Sequence, residues 1–167
     1  NGVAILCRVG EIHETRRGLP GDPADSHSRY LEAAVGGLLV ASIYLPNGNP
    51  RPGPKFAYKL EWFERLRAHA AELLASGAPV VLAGDFNVMP AERDVYAPER
   101  WVDDALFAPE VRAAWFRLVE QGWTDAFRSL YPDETIYTFW KFFRNAFARN
   151  AGLRIDHFLL TPDLTRR

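Results

Sequence analysis

The chain has 167 residues, 48% of them hydrophobic and 25% charged, with a formal net charge of −1. That is the composition of an ordinary globular domain long enough to bury a core, and it excludes a disordered tail, a coiled coil or a fibrous repeat. No run approaches the roughly 20 consecutive apolar residues of a membrane-spanning helix, and no signal-peptide pattern sits at the start. The single Cys7 excludes an internal disulfide, and its place in the run Val3-Ala4-Ile5-Leu6-Cys7 reads as a buried thiol in a reducing, cytoplasmic compartment.

In chain order, residues 2–9 read as a strand, followed by a Gly/Pro/Asp-rich loop over residues 18–23 that is too polar to bury. Residues 30–35 and 38–45 predict a β-hairpin, with Gly36-Gly37 supplying the positive φ of a two-residue turn. A second Pro/Gly loop leads into the strongest helical pattern, in which Phe56, Leu60, Phe63, Leu66, Ala70 and Leu73-Leu74 recur at helical spacing before Gly77. The apolar run at residues 79–83 predicts a short strand buried on both faces. A second helix is expected over residues 109–121, with Pro109 early and Gly122 just past its end. Residues 138–150 are compatible with a helix or an ordered loop, and residues 153–160 form a final strand. There is no repeat, low-complexity tract or linker, so this is α/β material in one piece.

The near-zero charge hides a split. Residues 135–167 hold six Lys/Arg and two acids, whereas residues 1–134 hold fourteen basic and nineteen acidic residues. Lys141, Arg144 and Arg149 alternate with Phe139, Trp140, Phe142, Phe143 and Phe147, the composition of a surface that meets phosphates and bases or of a core helix with a solvated basic face.

Chemistry concentrates where the run at residues 80–83 ends, at Gly84-Asp85-Phe86-Asn87. In extended chain, Asp85 and Asn87 point the same way, at a strand's carboxyl end, where α/β proteins bind ligands. A carboxylate can hold a metal or orient a water, and a carboxamide can donate to an anionic oxygen without adding repulsive charge. Alone, the motif reads first as a turn. Two further strands add to it: Ile43-Tyr44-Leu45-Pro46-Asn47 ends in a phenol and a carboxamide, and residues 152–160 enclose Asp156 among apolar neighbours, where an unpaired charge is costly. By alternation, Arg154, Asp156 and Phe158 share one face and Ile155, His157 and Leu159 the other. His157 is therefore expected to be structural. His13, His27 and His69 have no carboxylate partner at useful spacing in the sequence, and Asp103-Asp104 reads as solvated loop.

These segments, with Asn1-Gly2-Val3-Ala4-Ile5-Leu6, Ser28-Arg29-Tyr30, Tyr137-Thr138-Phe139-Trp140 and the run from Arg149 to His157, occur in an order and spacing that resemble the exodeoxyribonuclease III / AP endonuclease family, bacterial type, of the endonuclease–exonuclease–phosphatase superfamily. The resemblance implies a deoxyribonuclease I-like four-layered α/β sandwich, with two mixed sheets face to face and helices outside. It implies a catalytic set of Tyr44, Asp85, Asn87 and Asp156. Asn47, Lys55, Phe139, Trp140, Lys141, Arg144, Arg149 and Leu153 are the implied DNA-binding set.

The implied activity is metal-dependent hydrolysis of phosphodiesters in duplex DNA, both at apurinic/apyrimidinic sites and 3′→5′ from ends. The cofactor would be Mg²⁺, with Mn²⁺ an alternative, and the partner double-stranded DNA with abasic sites and 3′ ends. The protein would be monomeric and not membrane-bound. The family's first-strand Asn, its principal metal-ligating Glu and its closing Ser-Asp-His have no counterpart in these residues. The chain is therefore expected to be the central portion of a single longer domain, with Asp85 and Asn87 as second-site metal contacts. Lys141-Phe142 stands where the family commonly has Asp-Tyr. An inactive DNA-binding remnant, a phosphatase of the same superfamily and an unrelated α/β binding domain are the alternatives.

Overall fold

A computed structural model describes residues 2–8 and 10–166. The elements run β1 (Ile12–Arg17), β2 (Tyr30–Val35), β3 (Leu38–Tyr44), α1 (Pro54–Ala75), β4 (Val80–Asp85), α2 (Pro109–Val119), β5 (Thr124–Asp125), α3 (Ala126–Leu130), β6 (Phe139–Trp140), β7 (Gly152–Leu153) and β8 (Asp156–Leu160). Six strands form one mixed sheet in the order β1-β2-β3-β4-β8-β5, and β6 pairs with β7 in a separate two-stranded ladder.

The predicted hairpin forms as β2 and β3, and both long helices form where the periodicity places them. Helix α1 turns Trp62, Phe63, Leu66, Ala70 and Leu73 inward, against Ala41, Ile43, Val80, Leu82 and Leu159 of the sheet and Val111, Trp115 and Leu118 of α2. Lys59 and His69 lie on the same buried stripe of α1. His69 Nε2 lies 3.0 Å from Glu32 Oε2, and Glu32 also accepts from Thr15 and from the Tyr30 hydroxyl at 2.7 Å each. His27 Nδ1 similarly lies 2.8 Å from Asp25. These pairs correct the expectation that His27 and His69 lack carboxylate partners: Glu32 reaches His69 from β2, whereas Asp25 precedes His27 by only two residues in the same loop.

Several other expectations change. Residues 2–8 alternate between exposed and half-buried positions but join no ladder, and Leu6 is exposed; Val9, at the end of the expected strand, lies outside the described residues. Cys7 is half-buried rather than buried. The sheet begins instead with β1, whose sequence Ile-His-Glu-Thr-Arg-Arg is exposed throughout and shows no apolar alternation. It is an edge strand, and charged side chains protect an edge against pairing with another chain. Strand β4 is buried on the helix side only, with Val81, Ala83 and Asp85 half-buried on the other. Residues 138–150 give the short β6 and then consecutive turns, with no helix. No helix among the described residues is long and apolar enough to cross a membrane.

Candidate active site

The centre is a row of three side chains. Tyr44 lies opposite Asp85 in the parallel β3–β4 pairing, and Asp85 lies opposite Asp156 in the antiparallel β4–β8 pairing. Directly opposed residues project to the same side of a sheet, so one phenol and two carboxylates share the face away from the helices. The preceding row, Ile43–Gly84–His157, faces the core. Gly84 is required there: its φ is 140°, and a Cβ would lie 2.0 Å from the Ile43 carbonyl oxygen.

Asp85 accepts a hydrogen bond from the Asn87 backbone N–H at 2.8 Å. Burial raises its pKa to about 6, reinforced by the neighbouring Asp156 charge and opposed by the Asn87 N–H and by Lys59. Asn87 is buried and holds a left-handed φ of 46°. One of its amide N–H groups donates to Leu45 O at 2.8 Å, and its Oδ1 accepts from Asn47 Nδ2 at 3.3 Å. The two carboxamides therefore meet beside the row. Asn49 ties Asn47 Oδ1 to Asp104, donating to them at 3.1 and 3.0 Å. Asp104 is half-buried through this bond and one from Leu106 N, while Asp103 is exposed as expected.

Asp156 opens β8, and its backbone N–H donates to Thr138 Oγ1 at 3.1 Å. The expected uninterrupted strand at residues 153–160 is broken at residues 154–155, which overturns the shared face of Arg154 and Asp156. Arg154 turns inward instead, 1% exposed, and donates to Asp94 at 2.7 Å and Asp125 at 2.8 Å. Its Nη1 also lies 3.1 Å from His157 Nδ1. The guanidinium as donor there leaves His157 Nε2–H to donate to Val88 O at 3.0 Å. Burial, then the Arg154 charge, lowers the His157 pKa to about 4, and its ring packs 4.3 Å from that of Trp115. His157 is a neutral core residue facing away from the row.

The basic, aromatic segment builds a second feature. Lys141, Arg144, Arg149, Tyr96, Trp101 and Leu153 are among the residues lining an open groove of about 370 Å³. Lys141 Nζ sits 4.5 Å above the Trp101 ring. Phe142, Phe143 and Phe147 are exposed at 97%, 78% and 75%, far above what a core helix would leave. Trp140 packs edge-on to Phe147 and donates from Nε1 to Asn150 Oδ1 at 3.3 Å, and Phe139 is exposed on β6. Leu153 is buried with Met89, Val95 and Ile155, supporting the groove from below. Lys55 is exposed in the first turn of α1 and is not among the residues lining the groove. Sequence reading missed Lys59, Thr138, Tyr96 and Trp101; only Lys59 left a signal, a lysine in register with the apolar stripe of α1.

The model of the Endonuclease/Exonuclease/phosphatase family matches residues 1–167. The chain belongs to that family. It is 36% identical over 165 residues to the DNA repair nuclease APEX1 of Danio rerio, covering 98% of this chain and 52% of that protein. It is 33% identical to an exodeoxyribonuclease of Bacillus subtilis, covering 98% and 64%. Among solved structures, an AP endonuclease from Archaeoglobus fulgidus superposes with a TM-score of 0.88 at 33% identity, over 94% of this chain and 61% of that one. A 3′-5′ exonuclease from Neisseria meningitidis gives 0.87 at 35%, over 93% and 60%. The fold is thus that of the deoxyribonuclease I-like AP endonucleases, and the chain spans about half to two thirds of the length of these relatives.

Members of this family generally depend on a divalent metal. Among the described residues, no group of three or more His, Cys, Asp or Glu side chains could by itself hold a metal ion. Asp85 and Asp156 nevertheless place two carboxylates side by side on one face, and the raised Asp85 pKa reports their mutual repulsion as well as burial. Two carboxylates with bound waters are a donor set that fits a hydrated dication.

Proposed function

We propose that this chain carries the phosphodiester-hydrolysing centre of a DNA repair nuclease that incises at abasic sites and degrades 3′ ends. The observation that carries this reading is the Tyr44–Asp85–Asp156 row with the Asn47–Asn87 amide pair beside it. Burial and the Asp156 charge raise the pKa of Asp85 in the metal-free protein, and as a carboxylate it is placed to orient an attacking water or accept its proton. The exposed Tyr44 hydroxyl and the Asn47 and Asn87 amides are donors suited to the non-bridging oxygens of a phosphate. Asp156 orients its neighbours and with Asp85 would hold Mg²⁺, which would offset phosphate charge. Lys141, Arg144 and Arg149 hold the DNA backbone with little regard to sequence, while the exposed phenylalanines stack on bases. The exposed Lys55 and Phe139 and the half-buried Trp140 extend the DNA path, and the buried Leu153 supports it from beneath.

The test is incision of a duplex carrying one abasic site by the polypeptide that contains these residues, with Mg²⁺ and with EDTA. Metal-dependent incision 5′ to the lesion is expected; absence of incision with Mg²⁺, or equal incision in EDTA, overturns the reading. One neighbour is described as a 3′ phosphatase bound to a product DNA hairpin, at 34% identity and a TM-score of 0.87. A 3′-phosphate-ended duplex in the same assay separates that activity from incision. Replacing Lys141, Arg144 and Arg149 together by Ala is expected to make the slope of log Kd against log salt shallower by about 2–3, at roughly 0.9 per phosphate contact. Measurement by fluorescence anisotropy at several salt concentrations checks this.

A further inference from the structure

Lys59 is buried beside the row; the reading above gives it no contact with substrate, only a charge that opposes the raised pKa of Asp85. It sits on the inward stripe of α1 and is 0% exposed. Its Nζ donates to the Asn87 carbonyl at 2.6 Å and to the Asn47 carbonyl at 2.9 Å. We infer that Lys59 is a positioning residue: by joining these two carbonyls it sets the spacing between the loops after β3 and β4, and so the alignment of the Asn47–Asn87 amide pair with Asp85.

Three observations support this. Asn87 occupies left-handed backbone, a conformation that costs a non-glycine residue free energy and persists only where its surroundings over-determine it. Its N–H is held by Asp85, its side chain by Leu45 and Asn47, and its carbonyl by Lys59, so Lys59 fixes the one part of this residue the other partners leave open. Second, the direct link between the two amides is long, at 3.3 Å, whereas both Lys59 bonds are short. Third, the chain makes room for the lysine stem. Gly48 has φ 88°, and a Cβ there would lie 2.5 Å from Lys59 Cδ and 3.3 Å from the Ala105 Cβ.

A core role alone does not account for the choice of residue. The rest of the stripe is Trp62, Phe63, Leu66, His69, Ala70 and Leu73, and an apolar side chain at position 59 would avoid the cost of burying a polar nitrogen. The clamp does not depend on the charge of the amine, since an ammonium offers three donors and a neutral amine two.

The kinetic part of the test rests on the nuclease reading; the spectroscopic part does not. Lys59→Met keeps the stem and removes the donors. The side-chain amide ¹H–¹⁵N resonances of Asn47 and Asn87 are expected to shift and broaden. In the same variant, kcat for abasic-site incision should fall about tenfold or more with KM within about twofold of wild type, and the far-UV circular dichroism should be unchanged. Lys59→Gln, whose amide can reach one carbonyl, should lie between Lys59→Met and wild type, and it carries the same comparison if Lys59→Met does not fold. Unchanged Asn47 and Asn87 resonances, or a fall in kcat that only tracks the folded fraction, would overturn the inference. Failure of the wild-type protein to incise would overturn the nuclease reading instead, and the amide resonances would still decide the role of Lys59.

Discussion

Asp85→Asn is expected to abolish turnover, leave DNA binding within about threefold, and raise the thermal stability of the metal-free protein. The first two effects follow from removing the base while keeping the shape of the site; a loss of about 10³-fold or more in kcat is the scale expected for a group acting in the chemical step. The third follows from the pKa. The folded value of about 6 lies above the ordinary carboxylate value of 3.8, so the folded state favours the protonated form. Stability from that preference is fully present below about pH 4 and is lost as pH rises through about 6. An asparagine resembles the protonated acid at every pH. At pH 8 in EDTA the variant should therefore be more stable by about 1–3 kcal/mol, an upper limit set by roughly two pKa units at 1.36 kcal/mol each. Below pH 4 the two proteins should melt together.

Denaturant titration at pH 3.5 and pH 8 checks the sign, and a variant less stable than wild type at pH 8 would show that Asp85 is not under electrostatic strain. A divalent cation should narrow the difference at pH 8 by stabilising the wild type alone. The site would then be held at the expense of stability, as functional sites that keep like charges together commonly are.

The parts of this arrangement legible in the sequence are those governed by local pattern. Apolar periodicity marks α1 and α2, and the Gly36-Gly37 turn marks the β2–β3 hairpin; Tyr44 and Asp85 stand out at strand ends, while Asp156 reads as enclosed in a strand and joins them through the family resemblance. What remained hidden depends on long-range pairing. Strand β1 is an edge whose charged residues carry no alternation, so it exists only because β2 offers a partner. Glu32 and His69 are 37 positions apart and become a pair only when β2 packs beneath α1. The break at residues 154–155 has a similar origin. Period-two alternation assumes an unbroken ladder, whereas Arg154 is drawn inward by Asp94, sixty residues earlier, and by Asp125. That displacement removes one positive charge from the face expected to meet DNA, leaving Lys141, Arg144 and Arg149 to line the groove.

The ion network that causes the break also has the largest expected effect on folding. Asp94 is 0% and Arg154 1% exposed; Asp94 accepts from Arg154 and from Arg128 at 2.7 Å each and, through Oδ2, from the Ala91 N–H at 2.9 Å. Asp94→Ala strands a buried guanidinium with only Asp125 as a carboxylate partner, and loss of one member of a buried pair costs about 3–5 kcal/mol. A fall of that size in unfolding free energy, with the urea m-value unchanged, is expected; a loss below about 1 kcal/mol would show that water or Asp125 compensates. The pH dependence has the opposite sign to that of Asp85. Burial would raise the Asp94 pKa, but the Arg154 hydrogen bonds and charge more than offset it and hold the carboxyl below its ordinary value. Its contribution is therefore present above the unfolded carboxylate range and disappears as pH falls through the depressed folded value, so wild type and Asp94→Ala should converge in acid. Because Asp156 follows Arg154 by two residues and opens β8, the same substitution should weaken incision even at temperatures where the variant is fully folded. Rescue of stability but not of incision by the double replacement Asp94→Leu with Arg154→Met would separate the two roles, since matched apolar residues can replace a buried ion pair without loss of stability yet leave the start of β8 free to straighten.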